Sequence, residues 1–226
     1  MPMTSGTSDI RPLLIAGGRS TRMGTAKHLL RWIDDRPLYQ HTLEQLHGAC
    51  PGSDTLYISL RDVEQLQWLE LNISTMGSTQ IQPIYDSAGH VSQSDTHSSN
   101  MVSSGPAAGL LAAYNFSPAT TWLVAGCDYP LLTTAALQQL VQEYLPPITC
   151  FSNSEGWSEP LLAIWSPAAL QRLQENVLRG RSGPNNVIRS LGGKVIRPEN
   201  EDWIYGANTE QEWDVAMQLA RKRKTG

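Results

Sequence analysis

The chain carries at residues 14–27 the stretch LIAGGRSTRMGTAK, in which an apolar run leads directly into a glycine-rich, basic loop. The apolar run predicts a buried strand, and glycines, which lack a Cβ, let backbone N–H groups approach a ligand closely. Arg19, Arg22 and Lys27 bring positive charge to the same loop. Consecutive backbone N–H groups and cationic side chains together favour phosphate oxygens. The stretch therefore predicts a strand of an α/β protein followed by a polyphosphate-binding loop.

Two widespread phosphate-binding loops are excluded by the spacing of these residues. The P-loop requires Gly-Lys-Ser/Thr after a four-residue gap, whereas the glycine of this chain that is followed by lysine is Gly193, far from any such context. The dinucleotide fingerprint G-x-G-x-x-G also fails, because Gly17 and Gly18 are adjacent and the next glycine is Gly24. The loop belongs to a different class of phosphate site.

Around this loop, β-rich apolar runs alternate with amphipathic stretches along the chain. The predicted strands span residues 12–16, 55–60, 80–85, 121–125, 149–151, 161–165 and 194–196. The predicted helices span residues 37–47, 61–69, 107–116, 133–144, 168–177, 185–191 and 209–221. Such alternation is typical of a mostly parallel sheet that is covered by helices on both faces. We therefore predict a three-layer α/β/α fold, formed as a single domain over residues 1–226.

A second signature, WLVAGCDYP at residues 122–130, is an apolar strand that ends close to Asp128. Open α/β sheets bind their ligands at the carboxyl ends of the strands, so Asp128 is a candidate ligand-binding carboxylate. Capping of the following turn is the structural alternative. Where such a carboxylate holds Mg²⁺, one or two acidic ligands suffice beside phosphate oxygens and water. Spacing favours neither Asp202 nor Asp214 as a second such ligand.

Two turns have a local physical rationale of their own. The segment GPAAG at residues 105–109 opens a predicted helix, where glycines permit close approach of a ligand and the helix N-terminus favours negative charge. Thr209 and Glu212 have the spacing of a capping box, which predicts a helix start directly after Asn208. A plain loop-to-helix junction is the alternative reading of both segments.

The glycine-rich loop closely resembles the signature L-x-A-G-G-x-S-x-R-M-G-x-x-K of the MobA-like nucleotidyltransferases, the family that includes molybdenum cofactor guanylyltransferase. The matching positions are Gly17, Gly18, Ser20, Arg22, Met23, Gly24 and Lys27. The resemblance runs from residue 13 to about residue 215 and includes CDYP at 127–130, SEPL at 158–161 and YGANTEQE at 205–212. It implies a nucleotide-diphospho-sugar-transferase-like, Rossmann-like form of the predicted fold.

The resemblance also implies a reaction, in which GMP passes from GTP to a phosphorylated, molybdopterin-type acceptor and pyrophosphate is released. It implies Arg22, Lys27 and Asp128 as catalytic residues, with Asp128 holding Mg²⁺. The implied nucleotide-binding residues are Ile15, Ala16, Gly17, Gly18, Lys27, Asp86, Gly105 and Asp128. The implied acceptor-binding residues are Arg19, Gly109, Glu159 and Asn208. An acceptor phosphomonoester has a second pKa of about 6, so it is ionised at neutral pH and needs no general base.

The chain departs from the family pattern at several positions, most of them near its end. Ala26 replaces an Asp before the loop lysine, Gly206 replaces an Asn, and Glu210 replaces a Pro; Gln211 departs from an acidic run. The AGG loop and the GPxxG turn resemble the guanylyl-transferring branch of the family. The alternatives are a cytidylyltransferase for the same cofactor, a nucleotidyltransferase for a sugar phosphate or another small phosphorylated acceptor, and a non-catalytic nucleotide-binding homologue.

Composition narrows the classes of partner. The net charge of −4 and the absence of a basic stripe argue against nucleic-acid binding. No apolar stretch approaches the roughly 20 residues that span a bilayer, so we expect no membrane association and a cytoplasmic protein. Cys50, Cys127 and Cys150 are widely spaced, which suggests neither a disulfide framework nor a zinc site. We expect a monomer or a weak homo-oligomer.

Residues 87–104 interrupt the regular alternation. They are rich in serine and contain few residues able to bury apolar area, which predicts a mobile loop. His90 and His97 lack a carboxylate or histidine partner at helical spacing, so a solvated loop is favoured over a metal site. The segment lies between two stretches implied to bind the nucleotide, a position that suits a lid.

Overall fold

This computed structural model describes residues 10–17, 27–69, 75–86 and 105–225, within which eight strands form one sheet. The strands are β1 (Ile10–Ile15), β2 (Thr55–Leu60), β3 (Thr75–Met76), β4 (Thr79–Tyr85), β5 (Thr121–Gly126), β6 (Ile148–Ser152), β7 (Ser158–Trp165) and β8 (Lys194–Ile196). The helices are α1 (Leu38–Ala49), α2 (Val63–Trp68), α3 (Pro106–Phe116), α4 (Thr134–Gln142), α5 (Pro167–Leu178), α6 (Pro184–Ser190) and α7 (Glu210–Thr225). Short 3-10 helices lie at Lys27–Leu29 and Glu201–Ile204.

The strand order is β3-β4-β2-β1-β5-β7-β6-β8. Strands β4, β2, β1 and β5 are mutually parallel, while β7 runs antiparallel between β5 and β6. The chain first moves outward from β1 to β2 and β4, and then returns to β5 on the other side of β1. The strand order therefore reverses between β1 and β5, which is where open α/β sheets bind ligands. We call the edge formed by the carboxyl ends of β1, β2, β4 and β5 the carboxyl edge.

Helices cover both faces of the sheet. Leu13 and Leu14 are adjacent on β1 and both fully buried, because neighbouring strand residues point to opposite faces. Leu14 packs with apolar residues of α1 and α4, whereas Leu13 packs with α3, α5 and α6. Helix α7 packs instead on Trp32 and Leu131 beyond the sheet. The predicted three-layer, mostly parallel α/β/α architecture is confirmed.

Two details of the sheet differ from the sequence prediction. Strand β3 was not predicted, because it has two residues and pairs with β4 around Gly77, whose φ is +62°. Strand β7 begins at Ser158 rather than at 161, with Pro160 inside it. A bulge accommodates this proline: Cys150 pairs with Ala163, but the next residue of β6, Phe151, pairs with Glu159. Residues 160–162 of β7, which lie between Glu159 and Ala163, do not pair with β6. The missing N–H of Pro160 therefore costs little there.

The remaining elements agree closely with the predictions, including strands β2 and β8 at their predicted bounds. Among the residues that the structure describes, no helix is long and apolar enough to cross a membrane.

Candidate active site

The carboxyl end of β1 packs against Asp86, which directly follows β4. A Cβ on Gly17 would lie 3.0 Å from Asp86 Oδ2 and 3.2 Å from the backbone nitrogen of Arg61. Gly17 therefore lets the chain that follows β1 pass close to the ends of β2 and β4. Ser59 on β2 donates a hydrogen bond to Asp86 Oδ1 at 3.0 Å. The structure thus brings Gly17 and Asp86, both predicted nucleotide-binding residues, into direct contact.

Asp86 is a buried carboxyl, 8% exposed. Burial raises its pKa, while the Ser59 hydroxyl and the charge of Arg61 act in the opposite direction. A buried carboxylate beside Gly17 has oxygen atoms that can accept hydrogen bonds from a ligand. This geometry agrees with the implied role of Asp86 as a nucleotide contact.

Ile15 and Ala16 already use backbone groups within the protein. The Ala16 N–H donates to the Ser59 carbonyl at 3.0 Å, and the Ala16 carbonyl accepts from Gln65 Nε2 at 2.7 Å. The Ile15 carbonyl accepts from the N–H of Cys127 at 3.3 Å. These carbonyls therefore offer a ligand only their remaining lone pair. The implied base contacts of Ile15 and Ala16 stay predictions.

Gln65 on α2 is the residue that holds this loop. Its side chain is 6% exposed, and its Oε1 accepts from the Arg61 N–H at 2.8 Å while Nε2 binds the Ala16 carbonyl. Asp62 caps the same helix by accepting from the Gln65 N–H at 2.8 Å. Sequence reasoning missed Gln65, since nothing in a glutamine on an amphipathic helix signals a contact with a distant loop.

The two glycines of the GPxxG turn have different roles. Gly105 precedes α3 with φ +74° and ψ −151°, a conformation that glycine adopts most readily. Gly109 is buried on α3, where a Cβ would lie 2.9 Å from Ser59 Oγ and 3.0 Å from Ile15 Cγ2. Gly109 therefore permits α3 to approach β1 and β2 closely. This placement gives Gly109 a packing role, and its implied contact with the acceptor stays a prediction.

Asp128 follows β5, one strand across from Gly17. It is half-buried, and its backbone carbonyl accepts from the Ala207 N–H at 2.9 Å. A Cβ on Gly126 would lie 2.6 Å from Asp128 Oδ1, so the glycine that ends β5 makes room for this carboxylate. The predicted position of Asp128 just after the carboxyl end of a strand is confirmed, and the structure shows that this strand lies at the reversal of strand order. Its role as a metal ligand stays a prediction.

Glu159 at the start of β7 faces the same region. Tyr129 donates its hydroxyl to Glu159 Oε2 at 2.8 Å, and Asn153 Nδ2 donates to Glu159 Oε1 at 3.2 Å. Burial raises the pKa of Glu159, and the negative charge of Asp128 raises it further against the effect of these hydrogen bonds. Burial also raises the pKa of Tyr129, so its hydroxyl remains a donor. The carboxyl group of Glu159 therefore lies near that of Asp128, on the side of Asp128 that faces away from Asp86.

The segment before α7 completes this side of the site. Asn208 is exposed, directly after the Ala207 that binds the Asp128 carbonyl. The predicted capping box is confirmed: Glu212 Oε2 accepts from the Thr209 N–H at 2.9 Å, and Thr209 Oγ1 accepts from the Glu212 N–H at 3.2 Å. Asp202 instead pairs with Arg223 at 3.0 Å, which gives it a structural partner.

Several predicted residues lie outside the described part of the chain, namely Gly18, Arg19, Arg22 and the segment 87–104. Lys27 begins the 3-10 helix that follows the loop. Its neighbour His28 is 3% exposed, and burial, followed by the charge of Arg61, lowers its pKa to about 4. A neutral His28 Nε2 lies 3.4 Å from Gln65 Nε2. Gln65 therefore ties both ends of the loop together.

The oxygen donors at the carboxyl edge fit Mg²⁺, which prefers a few carboxylates together with phosphate oxygens and water. Asp128, Glu159 and Asn208 supply carboxylate and amide oxygens. Among the described residues, no group of three or more His, Cys, Asp or Glu could hold a metal ion by itself.

Comparison with known proteins gives the family. The model of the MobA-like NTP transferase domain matches residues 12–195. The chain belongs to the MobA-like NTP transferase family. The family predicted from the loop signature is thereby confirmed, and with it a nucleotidyltransferase.

Individual relatives are distant but span the chain. A probable molybdenum cofactor guanylyltransferase from Synechococcus elongatus is 27% identical over 213 residues, covering 92% of this chain and 97% of that protein. A molybdenum cofactor biosynthesis bifunctional protein from Synechocystis is 24% identical over 218 residues, covering 93% of this chain and 56% of that longer protein.

The solved structures support the fold. Molybdopterin-guanine dinucleotide biosynthesis protein A from Archaeoglobus fulgidus superposes with a TM-score of 0.71 at 18% identity, covering 94% of this chain and all of that one. The nucleotide-diphospho-sugar-transferase-like fold is thus confirmed.

Proposed function

We propose that this chain transfers GMP from GTP to the phosphate of a molybdopterin-type acceptor, and that it does so with Mg²⁺ at Asp128. One observation carries the proposal: Asp128 lies at the β1/β5 reversal between two different polar sides. Gly17 and Asp86 form the nucleotide side, and Glu159 and Asn208 form the acceptor side. The names of the family relatives, which include molybdenum cofactor guanylyltransferases, support the choice of substrates.

In the proposed reaction an acceptor phosphate oxygen attacks the α-phosphorus of GTP. The bond between that phosphorus and the bridging oxygen to the β-phosphate breaks, and pyrophosphate leaves with the electron pair. The acceptor phosphate is already ionised at neutral pH, so no side chain has to remove a proton. Catalysis then depends on positioning and on neutralisation of charge, as in phosphoryl transfer generally.

Each side of the site has a task in this reaction. The loop glycines, Lys27 and Arg22 are proposed to bind the triphosphate and to stabilise the departing pyrophosphate. Asp128 and the neighbouring oxygen donors would hold Mg²⁺, which supplies charge neutralisation between the reacting phosphates. Asp86 is proposed to accept a hydrogen bond from the guanine base. Glu159, fixed by Tyr129 and Asn153, is proposed to orient the acceptor.

The test is pyrophosphate release in the presence of Mg²⁺ with defined pairs of substrates. We expect release with GTP and molybdopterin, and at most weak release with CTP or with a sugar phosphate. Preference for CTP would make the protein a cytidylyltransferase, and preference for a sugar phosphate would replace the acceptor. Nucleotide binding without release under any combination would favour a non-catalytic homologue.

A further inference from the structure

The β6–β7 hairpin presents one large aromatic side chain to solvent at the carboxyl edge. The indole of Trp157 is 58% exposed, whereas Trp122 and Trp165 are fully buried in the core. Single exposed apolar residues are common, so exposure alone says little. Two further features of Trp157 point to a ligand: its turn is held by hydrogen bonds, and it lies close in sequence to Glu159.

The turn that holds Trp157 is fixed by Asn153. The Asn153 N–H donates to the Trp157 carbonyl at 3.0 Å, and Asn153 Oδ1 accepts from the Trp157 N–H at 3.0 Å and from the Glu155 N–H at 3.1 Å. Gly156 closes the turn with φ +84°. Two hydrogen bonds with Asn153 thus hold the backbone of Trp157, so little backbone freedom is lost when a ligand binds to the indole.

Trp157 stands directly before β7, two residues before Glu159. Asn153 is directly opposite Trp157, and its side chain reaches diagonally to Glu159 Oε1 at 3.2 Å. Opposite and diagonal neighbours of this kind share one face of an antiparallel pair. Residues two apart along an extended strand also point the same way and are separated by about 7 Å. Trp157 therefore extends the Glu159 side of the site outward from the sheet.

We infer that Trp157 is a stacking platform for the planar heteroaromatic ring of the acceptor. This inference rests on the proposed function, whose acceptor carries a pterin. The strand order separates the two substrates: β1, β2 and β4 lie on one side of β5, and β7 and β6 lie on the other. Trp157 is thus on the opposite side of Asp128 from Asp86, which excludes the nucleotide base as its partner. Flat heteroaromatic rings stack on indoles largely irrespective of their substituents.

The test measures binding of neopterin 3′-phosphate, a pterin with a phosphomonoester, through quenching of pterin fluorescence. We expect Trp157→Ala to raise Kd for this probe about tenfold, and Trp157→Phe to stay within about threefold of the wild type. Kd for GTP should be unchanged in both variants. Leu145→Ala is the matched control, since Leu145 is 59% exposed between α4 and β6 and away from the carboxyl edge.

Unchanged pterin affinity in Trp157→Ala, absent binding by the wild type, or a loss of GTP affinity would each overturn the inference. The proposed function is judged separately by pyrophosphate release. If the wild type releases pyrophosphate with the pterin acceptor while Trp157→Ala binds the probe normally, the stacking platform alone fails. If Trp157→Ala loses the probe but the wild type releases no pyrophosphate, the platform stands and the proposed reaction fails.

Discussion

Asp128 combines partial burial, a position at the reversal of strand order and a glycine before it that leaves room for its carboxylate. Changing Asp128 to Asn keeps the shape of the side chain and removes its charge. We expect the rate of pyrophosphate release to fall about a hundredfold or more, the scale seen when one preorganised electrostatic group is lost. Circular dichroism and the unfolding midpoint should stay close to those of the wild type.

Asp202→Asn is the matched control for this change. Asp202 is also a partly exposed aspartate, but its carboxylate pairs with Arg223. Its substitution should leave turnover within about twofold, because exposed ion pairs contribute at most about 1 kcal/mol and only to stability. Near-normal turnover of the Asp128→Asn variant would refute the metal assignment.

At the scale of elements, α3 rests on the sheet through Gly109. A Cβ at this position would lie 2.9 Å from Ser59 Oγ and 3.0 Å from Ile15 Cγ2, closer than packed atoms normally approach. We expect Gly109→Ala to lower the free energy of unfolding by about 1–2 kcal/mol, since overpacking exceeds the gain in helix propensity. Urea unfolding measures this difference. Gly52→Ala, which has nothing within 4 Å of its new Cβ, should be nearly neutral.

The methyl group that Gly109→Ala adds would also displace the side chain of Ser59, which donates a hydrogen bond to Asp86. We therefore expect Gly109→Ala also to weaken GTP binding, and Gly52→Ala to leave it unchanged. A fully stable Gly109→Ala variant would show that the helix shifts without strain.

Most helices and strands were predictable from the sequence, because the periodicity of apolar residues and the residues that form turns determine local structure. The limits are visible at β7, which begins at Ser158 rather than at the predicted 161 because a bulge accommodates Pro160. Long-range pairing decided that case, and it is not encoded in the local pattern. Gln65 illustrates the same limit, since its contact with Ala16 joins residues 49 positions apart.

At the scale of the whole molecule, the sequence predicted which residues meet at the carboxyl edge but not how they are supported. Asp128 was found because open α/β sheets bind ligands at the carboxyl ends of their strands, whereas Asp86 was implied only by the resemblance to the family. The sequence did not predict the residues that donate hydrogen bonds to the carboxylates of Asp86 and Glu159, namely Ser59, Tyr129 and Asn153. Such bonds depend on distances between strands, which the spacing of residues along the chain does not give. The division of the edge into two sides emerged only from the strand order.

Global stability should depend on His28, whose pKa falls from 6.5 to about 4 on burial. Between these two values the unfolded chain binds more protons than the folded one, so stability is complete above about pH 6.5 and declines as the pH falls. From pH 7 to pH 4.5 the loss amounts to about 2.5 kcal/mol from this group.

His28→Gln should remove that part of the pH dependence. Asp86 and Glu159, whose pKa values are raised, act in the opposite direction but remain in both proteins. The measurement is therefore the wild-type loss minus the variant loss, each determined by urea unfolding at the two pH values. Equal losses would mean that His28 is protonated in the folded protein without cost.

Binding of the nucleotide should be readable in the stability of the molecule, because a ligand that binds the folded state adds RT ln(1 + [L]/Kd). Asp86 can accept from the N–H groups of guanine, and each such bond lost with another base costs about 1–3 kcal/mol. With Mg²⁺ and GTP at 100 times its Kd, we expect a gain of about 2.7 kcal/mol. CTP, ATP and UTP at the same concentration, bound about tenfold more weakly, should give about 1.4 kcal/mol or less.

Urea unfolding with each triphosphate measures this series of stability gains. The Asp86→Asn variant should reduce the advantage of GTP, because the amide replaces an acceptor oxygen with a donor. A larger gain with CTP would contradict guanine selection, and equal gains with all four would mean that the base makes no selective contact.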